Sequence, residues 1–344
     1  MGFGDFSTIC VKSSIPLCAL VGHQQITDGA GIQASCYSRT IEVANTLIFQ
    51  TANSFMHILA LVMTVVMIIH VRSKFTAVGR KEITSFFYIY MALTIVSLVL
   101  DAGVSPPGSG SYAYFAAAQN GLTSALCTCL LINGFVGFQL YEDGTTLSVW
   151  LLRLCSIAMF IIGGAVSLLT FKGWAGLSPQ NPVGIFVVTY IVNAIMLFVY
   201  TASQVLLVIG TLEDRWPMGD IIFGVFFFVI GQVILYVFSD TICNNVQHYV
   251  DGLFFATICN LLAVMMVYKV CIILLVNGCT LLTANSIGTP SPAKTSSSPS
   301  ASRHTTGRSR SSFPKTTSAA PSTTSPNTLR PCINSRTVVP RTTL

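Results

Sequence analysis

The chain has 344 residues, of which 52% are hydrophobic and only 9% are charged, and its formal net charge is +6. A water-soluble domain of this size needs more polar surface than these residues supply, so the composition excludes an ordinary soluble protein and indicates a membrane protein. The apolar runs are continuous rather than alternating, which also excludes a transmembrane β-barrel.

Seven apolar runs are long enough to cross a bilayer core of roughly 30 Å as helices, which takes about 20 residues. They predict an all-α membrane protein, a bundle of seven transmembrane helices within residues 45–276. The predicted spans are about 45–70, 84–104, 113–140, 149–172, 184–210, 219–239 and 251–276. Residues 1–44 form a separate segment before the bundle. Residues 277–344 form a Ser/Thr/Arg-rich tail that we expect to be disordered.

Basic residues predict the orientation of the bundle, because Lys and Arg collect in cytosolic loops. The loop after the first span contains Arg72, Lys74, Arg80 and Lys81, whereas the loops after the second and sixth spans contain no basic residue. We therefore expect a luminal or external amino terminus and a cytosolic carboxyl-terminal tail.

Four cysteines lie on the predicted luminal side and are candidates for disulfide bonds in an oxidising compartment. They are Cys10, Cys18, Cys36 and Cys243. Four cysteines allow three pairings, and the sequence does not choose among them. A bridge between the amino-terminal segment and the loop after span six is one expectation. A zinc site is the less favoured alternative, because no C-x-x-C spacing occurs among the four.

A connector between spans two and three is rich in Pro, Gly and Ser, so neither flanking helix can run through it. It covers residues 101–114 and is predicted to fix a sharp reversal on the luminal side. Its candidate functional or structural residues are Asp101, Pro106, Pro107, Gly108, Gly110 and Tyr112.

Amide side chains are the main polar groups within the predicted spans, and they form hydrogen bonds without acid–base chemistry. Such amides either hold a bundle together or grip the helices of another membrane protein. The amides are Asn45, Asn53, Asn120, Asn133, Gln139, Asn193, Gln204, Gln232 and Asn260.

No catalytic or nucleotide-binding motif is recognisable, so we predict no enzyme, no cofactor, no metal and no nucleic-acid partner. Two alternatives remain open from the residues alone. One is a seven-helix cell-surface receptor, although the motifs Asp/Glu-Arg-Tyr and Asn-Pro-x-x-Tyr are missing from spans three and seven. The other is a lipid-modifying enzyme with Asp101, His248 and Asp251 as its polar centre.

Five distinctive strings follow one another along residues 1–269. They are Met1–Cys10 with Ile15–Cys18, the connector Asp101–Tyr114, Glu142–Thr145, Leu168–Lys172, and His248–Phe255 continuing to Met265–Lys269. Together they resemble the fungal chitin synthase export chaperones.

The resemblance implies a multi-pass chaperone of the endoplasmic reticulum membrane that assists chitin synthase to fold and reach the cell surface, in support of cell-wall chitin synthesis. It implies chitin synthase as a polytopic client within the shared lipid bilayer. The connector residues, together with His248 and Asp251, then become candidates for client contact or for structure. The cytosolic residues Glu142, Asp143 and Gly144 are candidates for contact with the client or with coat export machinery, or for a helix cap.

The sequence departs from that family after Lys269. Members resembling this chain usually continue with an aromatic and acidic cytosolic tail, whereas here an apolar run and a Ser/Thr-rich tail follow. We interpret the sequence from about residue 270 as translated intron or a shifted reading frame. The codon of Val270 begins with GT, and Ala284-Asn285 can be encoded by a branch-point string.

Overall fold

The computed structural model describes residues 4–22, 31–43, 45–73, 80–136, 146–211 and 216–286. Within these residues, seven helices are long and apolar enough to cross a membrane, which confirms the predicted seven-helix bundle. In chain order, spans one to seven are Thr51–Ser73, Arg80–Asp101, Tyr112–Phe135, Leu147–Lys172, Val183–Gly210, Trp216–Asn245 and Gly252–Ile273. The helix of span seven continues to Ser286.

A short β-hairpin precedes span one and explains why the helix begins six residues later than the predicted start at residue 45. Strands Ile41–Val43 and Thr46–Ile48 pair antiparallel, with Ile41 opposite Ile48. Asn45 lies between them with a left-handed φ of 67°, a conformation that Asn tolerates in turns. The apolar residues after Asn45 therefore form a strand before the helix begins.

Span three is the central helix, and it packs against spans two, four and five. Its contact with span four is close because both helices place glycines at the interface. A Cβ on Gly121 would lie 2.7 Å from the carbonyl oxygen of Phe160, and a Cβ on Gly163 would lie 3.1 Å from Ser124 Oγ. A larger side chain at Gly121 would push these helices apart.

A second core joins the amino-terminal segment to span five. The segment contains a helix, Ser7–Lys12, and a 3₁₀ turn, Pro16–Ala19. Phe6, Cys10, Leu17, Cys18 and Val21 are buried there together with Ile185 at the start of span five. The segment is therefore folded onto the bundle, although it is too short to bury a core alone.

Spans five and six each contain a π-helical stretch on the same side of the bundle. The stretches are Val187–Val192 and Ile234–Phe238. The rings of Tyr190 and Tyr236, one from each stretch, have centroids 6.0 Å apart. Phe6 packs against Tyr190 at 5.8 Å. The widened turns thus lie where the amino-terminal segment meets the two spans.

Candidate functional site

Both disulfides of the described residues lie at one end of the bundle, here called the disulfide-bonded end. Cys10 is joined to Cys18, and Cys36 is joined to Cys243, with Cα–Cα distances of 5.4 and 6.1 Å. This is one of the three pairings that the sequence left open. Cys243 lies in the last turn of the span-six helix rather than in the loop after it. The second bridge ties the amino-terminal segment to span six.

A polar cluster at this end, buried except for its half-buried threonine, joins spans one, two and seven. We define it as Asn53, His57, Asp101 and Thr257. Asp101 Oδ2 accepts hydrogen bonds from Asn53 Nδ2 at 2.6 Å and from His57 Nε2 at 2.8 Å. Thr257 Oγ1 donates to Asn53 Oδ1 at 2.8 Å. Only 4% of the Asp101 side chain and 9% of the His57 side chain are exposed.

The sequence pattern explains why span one contributes two members of this cluster. Asn53 and His57 are four residues apart, so they lie on one face of the helix, one turn above the other. Asp101 is the last residue of the span-two helix, which places its carboxylate at the same depth. The two donors satisfy Oδ2 of the buried carboxylate, whereas Oδ1 is buried without a hydrogen-bond partner among the described residues.

A second buried carboxylate, Asp251, connects the amino-terminal segment to span seven. Ser14 Oγ donates to Asp251 Oδ2 at 2.6 Å, and the backbone N–H of Phe254 donates to Oδ1 at 3.2 Å. The second bond is the usual N-cap contact at the start of a helix. Burial raises the pKa of Asp251, the bonds from Ser14 and Phe254 oppose the rise, and the nearby charge of Asp101 adds to it.

The residue after Asp251 must be small. The N–H of Gly252 donates to Ser239 Oγ at 3.1 Å. A Cβ on Gly252 would lie 2.7 Å from the Cα of Ser239. The first turn of span seven is therefore held directly against the end of span six.

His248 is directed to the second disulfide and not to the carboxylates. Its Nδ1 lies 3.0 Å from Cys36 Sγ and 3.7 Å from Cys243 Sγ. Asp101 and Asp251 have the other partners described above, so Asp101, His248 and Asp251 do not form the single polar centre that a lipid-modifying enzyme would need.

The connector divides into buried and exposed residues. Tyr112 is buried, and its hydroxyl donates to the carbonyl oxygen of Pro16 at 2.9 Å. Ser105 Oγ contacts the hydroxyls of Ser109 and Ser111 at 2.9 and 3.0 Å, which closes the turn on itself. The remaining candidates are exposed: Pro106, Pro107, Gly108 and Gly110.

The candidates Glu142, Asp143 and Gly144, which the sequence predicts to be cytosolic, lie outside the described residues, as do Gln139 and the tail after residue 286. Most of the described amides bond between helices of the bundle itself. Gln119 Nε2 donates to Ser97 Oγ at 3.0 Å, and Asn120 Nδ2 donates to Ser167 Oγ at 3.2 Å. Gln232 of span six contacts Asn260 of span seven at 3.5 Å.

Three partners of the site were missed from the sequence. Ser14, Thr257 and Ser239 are common residue types in unremarkable surroundings. For Thr257 a signal was present, because it lies in an apolar helix where a hydroxyl needs an acceptor. Ser14 and Ser239 carried no comparable signal.

A sequence profile of the chitin synthase export chaperones matches residues 2–273. The chain belongs to this family. A chitin synthase export chaperone of Phaeosphaeria nodorum is 83% identical over 269 residues, which is 78% of this chain and 81% of the relative. Chaperones of the same name from Coccidioides immitis and Aspergillus clavatus are 70% and 68% identical over 269 and 271 residues, again 78% of this chain and 81% and 82% of the relatives.

No solved structure gives a significant match to the chain. Members of this family are chaperones for chitin synthase export and are neither enzymes nor receptors. The alternatives of a cell-surface receptor and of a lipid-modifying enzyme are therefore wrong. With seven apolar helices, this member of the family is a multi-pass membrane protein. Its polar groups at the disulfide-bonded end are accordingly not a catalytic centre.

Proposed function

We propose that this chain resides in the endoplasmic reticulum membrane and assists a chitin synthase to fold and to leave for the cell surface, in support of cell-wall chitin synthesis. The observation that carries the proposal is membership of the chitin synthase export chaperones over residues 2–273. The disulfides support the orientation, because such bonds persist on the oxidising, luminal side of the membrane.

The hydrogen bonds within the bundle indicate which surfaces are left for contact with a client. Because most described amides and buried carboxylates bond within the chain, they serve its own fold rather than grip a client. The outer face of span six, by contrast, is apolar, with Phe223, Phe226 and Val229 each at least half exposed. Client helices therefore meet the spans through van der Waals contacts in lipid, which are weak enough to exchange.

The exposed part of the connector is our candidate for contact with the client outside the bilayer. Pro106, Pro107, Gly108 and Gly110 project from the disulfide-bonded end, whereas Asp101, Tyr112 and Asp251 are buried and structural. The double variant Pro106→Ala/Pro107→Ala should reduce delivery of the synthase without lowering the amount of this chain. Lys12→Ala, an exposed change at the same end, is the matched control and should leave delivery unchanged. Normal delivery in the double variant would contradict this role.

Deletion of the gene in a strain with a fluorescent chitin synthase tests the function itself. We expect the synthase to stay in the endoplasmic reticulum and to reach the surface again when this chain is restored. An unrelated polytopic surface protein should be delivered normally in the same cells. Normal delivery of the synthase in the deletion strain would refute the proposal.

We further propose that the cytosolic residues Glu142, Asp143 and Gly144 contact coat export machinery. The basis is their predicted position in a cytosolic loop. Glu142→Ala/Asp143→Ala should retain both this chain and the synthase in the endoplasmic reticulum, as scored by co-localisation with a resident marker. If the double variant exports the synthase at the normal rate, the residues serve another purpose.

The match with the family profile ends at residue 273, near the point where we place the departure from the family. The relatives align over 269 to 271 residues of this chain. This supports the hypothesis that the sequence from about residue 270 is translated intron or a shifted frame. Sequencing the transcript should reveal a spliced junction there, and a message that reads continuously through it would reject the hypothesis.

A further inference from the structure

Three side chains with metal-binding atoms converge at the disulfide-bonded end: Cys36, Cys243 and His248. Their two sulfurs and one imidazole nitrogen all lie within 4.8 Å of one another. They come from distant parts of the chain, since Cys36 and Cys243 are 207 residues apart. The fold thus brings together two cysteines and a histidine that no short sequence motif would have predicted as a set.

The backbone holds His248 against the sulfurs at some conformational cost. Gln247 and His248 both have left-handed φ angles, 52° and 66°, which are unfavourable for residues other than glycine. The His248 N–H donates to the carbonyl oxygen of Cys243 at 2.9 Å, and its carbonyl accepts from the Arg39 N–H at 2.7 Å. The backbone of His248 is therefore held by Cys243 and by Arg39, which is three residues from Cys36.

The disulfide alone does not account for this arrangement. A sulfur is a weak hydrogen-bond acceptor, so the imidazole gains little from the contact with a disulfide. A thiolate beside an imidazole, in contrast, is a common metal ligand pair. The position of His248 is better explained by what the two sulfurs bind when they are not bonded to each other.

The distances fit tetrahedral zinc. With Zn–S near 2.3 Å and Zn–N near 2.0 Å, a tetrahedral site sets sulfur–nitrogen distances at about 3.5 Å. The observed distances from His248 Nδ1 are 3.0 Å to Cys36 Sγ and 3.7 Å to Cys243 Sγ. Only the sulfurs must separate, to about 3.8 Å, after their bond is broken.

We propose that Cys36, Cys243 and His248 form a zinc site when the Cys36–Cys243 disulfide is reduced. A dithiol supplies two electrons and two protons, giving two cysteine thiols and the oxidised dithiol. Zn²⁺ then binds both sulfurs and His248 Nδ1, and the two thiol protons are released to solvent. The imidazole keeps its proton on Nε2.

Such a site has three protein ligands and one open position. His248 is exposed while both cysteines are buried, so the metal enters from the side of the imidazole. The bound zinc replaces the covalent bridge as the tie between the amino-terminal segment and span six. The site does not depend on the identity of the client.

The test uses the full chain, purified in detergent with its disulfides formed, then reduced with dithiothreitol and freed of it without air. Co²⁺ is the spectroscopic probe and Zn²⁺ the competitor. We expect one tetrahedral, sulfur-ligated Co²⁺ per reduced chain and none in the oxidised chain. Cys36→Ser and Cys243→Ser should abolish the signal, and His248→Ala should weaken binding at least about tenfold. Cys10→Ser/Cys18→Ser, which removes the bridge without a histidine, should bind normally.

The proposal would be overturned if the His248→Ala variant or the oxidised chain bound Co²⁺ as tightly as the reduced wild type. It would also be overturned if neither form of the wild type bound Co²⁺. If the reduced chain aggregates in detergent, maleimide labelling in native membranes replaces the titration. After reduction, Zn²⁺ should then protect Cys36 and Cys243 from the label in the wild type but not in His248→Ala. If Zn²⁺ does not change the labelling of Cys36 and Cys243 in the wild type, the proposed site is refuted.

Discussion

The substitution Asp101→Ala is the sharpest probe of the polar cluster. It removes the carboxylate oxygen that accepts from Asn53 at 2.6 Å and from His57 at 2.8 Å. Both donors remain buried and lose their acceptor, because the short alanine side chain leaves a cavity between spans one and two. The change therefore acts on the packing of the two spans and not on the surface of the protein.

The expected loss follows from two estimates. An orphaned buried hydrogen-bonding group costs about 1–3 kcal/mol, and here there are two. Hydrogen bonds between helices in lipid are individually weaker, at about 0.6–1.7 kcal/mol. We therefore expect Asp101→Ala to lower the free energy of unfolding by about 3 kcal/mol, near the low end of what two orphaned donors cost and near the upper end for two interhelical bonds in lipid.

Unfolding by sodium dodecyl sulfate in mixed micelles, followed by circular dichroism, measures this quantity. Asp220→Ala is the matched control, because Asp220 pairs with Lys269 at 3.1 Å while the lysine side chain is 55% exposed. Such a pair is worth about 0.2–1 kcal/mol. His57→Ala and Asp101→Ala should also be non-additive when combined. If Asp101→Ala costs no more than Asp220→Ala, the cluster does not stabilise the bundle and the reasoning is wrong.

Three further changes test the surroundings of the cluster by the same unfolding assay. Gly252→Ala should destabilise by about 1–3 kcal/mol through its clash, whereas Gly219→Ala, in open space, should be neutral or stabilising. Without reductant, Cys36→Ser should lower the free energy of unfolding more than Cys10→Ser does, because its bridge spans 207 rather than 8 residues. The expected losses are at most about 5 kcal/mol for Cys36→Ser and about 2.5 kcal/mol for Cys10→Ser. Because the pKa of Asp251 is raised, the folded state binds the proton of this carboxyl group more tightly than the unfolded state does. The stabilisation from protonated Asp251 is therefore complete below pH 3.8 and is lost as pH rises through the raised pKa. Asp251→Asn should remove that slope, and an identical pH profile in the variant would contradict the assignment.

The number of spans was predictable because bilayer thickness imposes a minimum length on every apolar run. The start of span one was not, since Leu47 and Phe49 are as compatible with a helix as with a strand. The pairing of Ile41 with Ile48 across a turn determines that Thr46–Ile48 form a strand. Asn45 was the available signal, as a residue that tolerates left-handed backbone.

The candidate site was predictable in position but not in connectivity. The sequence placed Asp101, His248 and Asp251 at one end of the bundle, yet it could not say which way each side chain faces. His248 and Asp251 are only three residues apart, but the left-handed turn at Gln247 and His248 directs the imidazole to Cys36. The partners of Asp101 depend on the rotation of span one about its own axis, which apolar patterning specifies only loosely in a helix surrounded by lipid.

The contacts of the amino-terminal segment imply an order of assembly. Ser14 bonds to a carboxylate 237 residues further along the chain, and Cys36 to a cysteine 207 residues further. The Cys36 bridge cannot form before the end of span six is in place, and the Ser14 bond needs the start of span seven as well. Closing loops of this length is costly until the bundle brings their ends together. The bridge from Cys10 to Cys18 spans only 8 residues and has no such requirement. The disulfide-bonded end is thus completed late, and a closed Cys36–Cys243 bridge marks a chain in which span six has already met the amino-terminal segment.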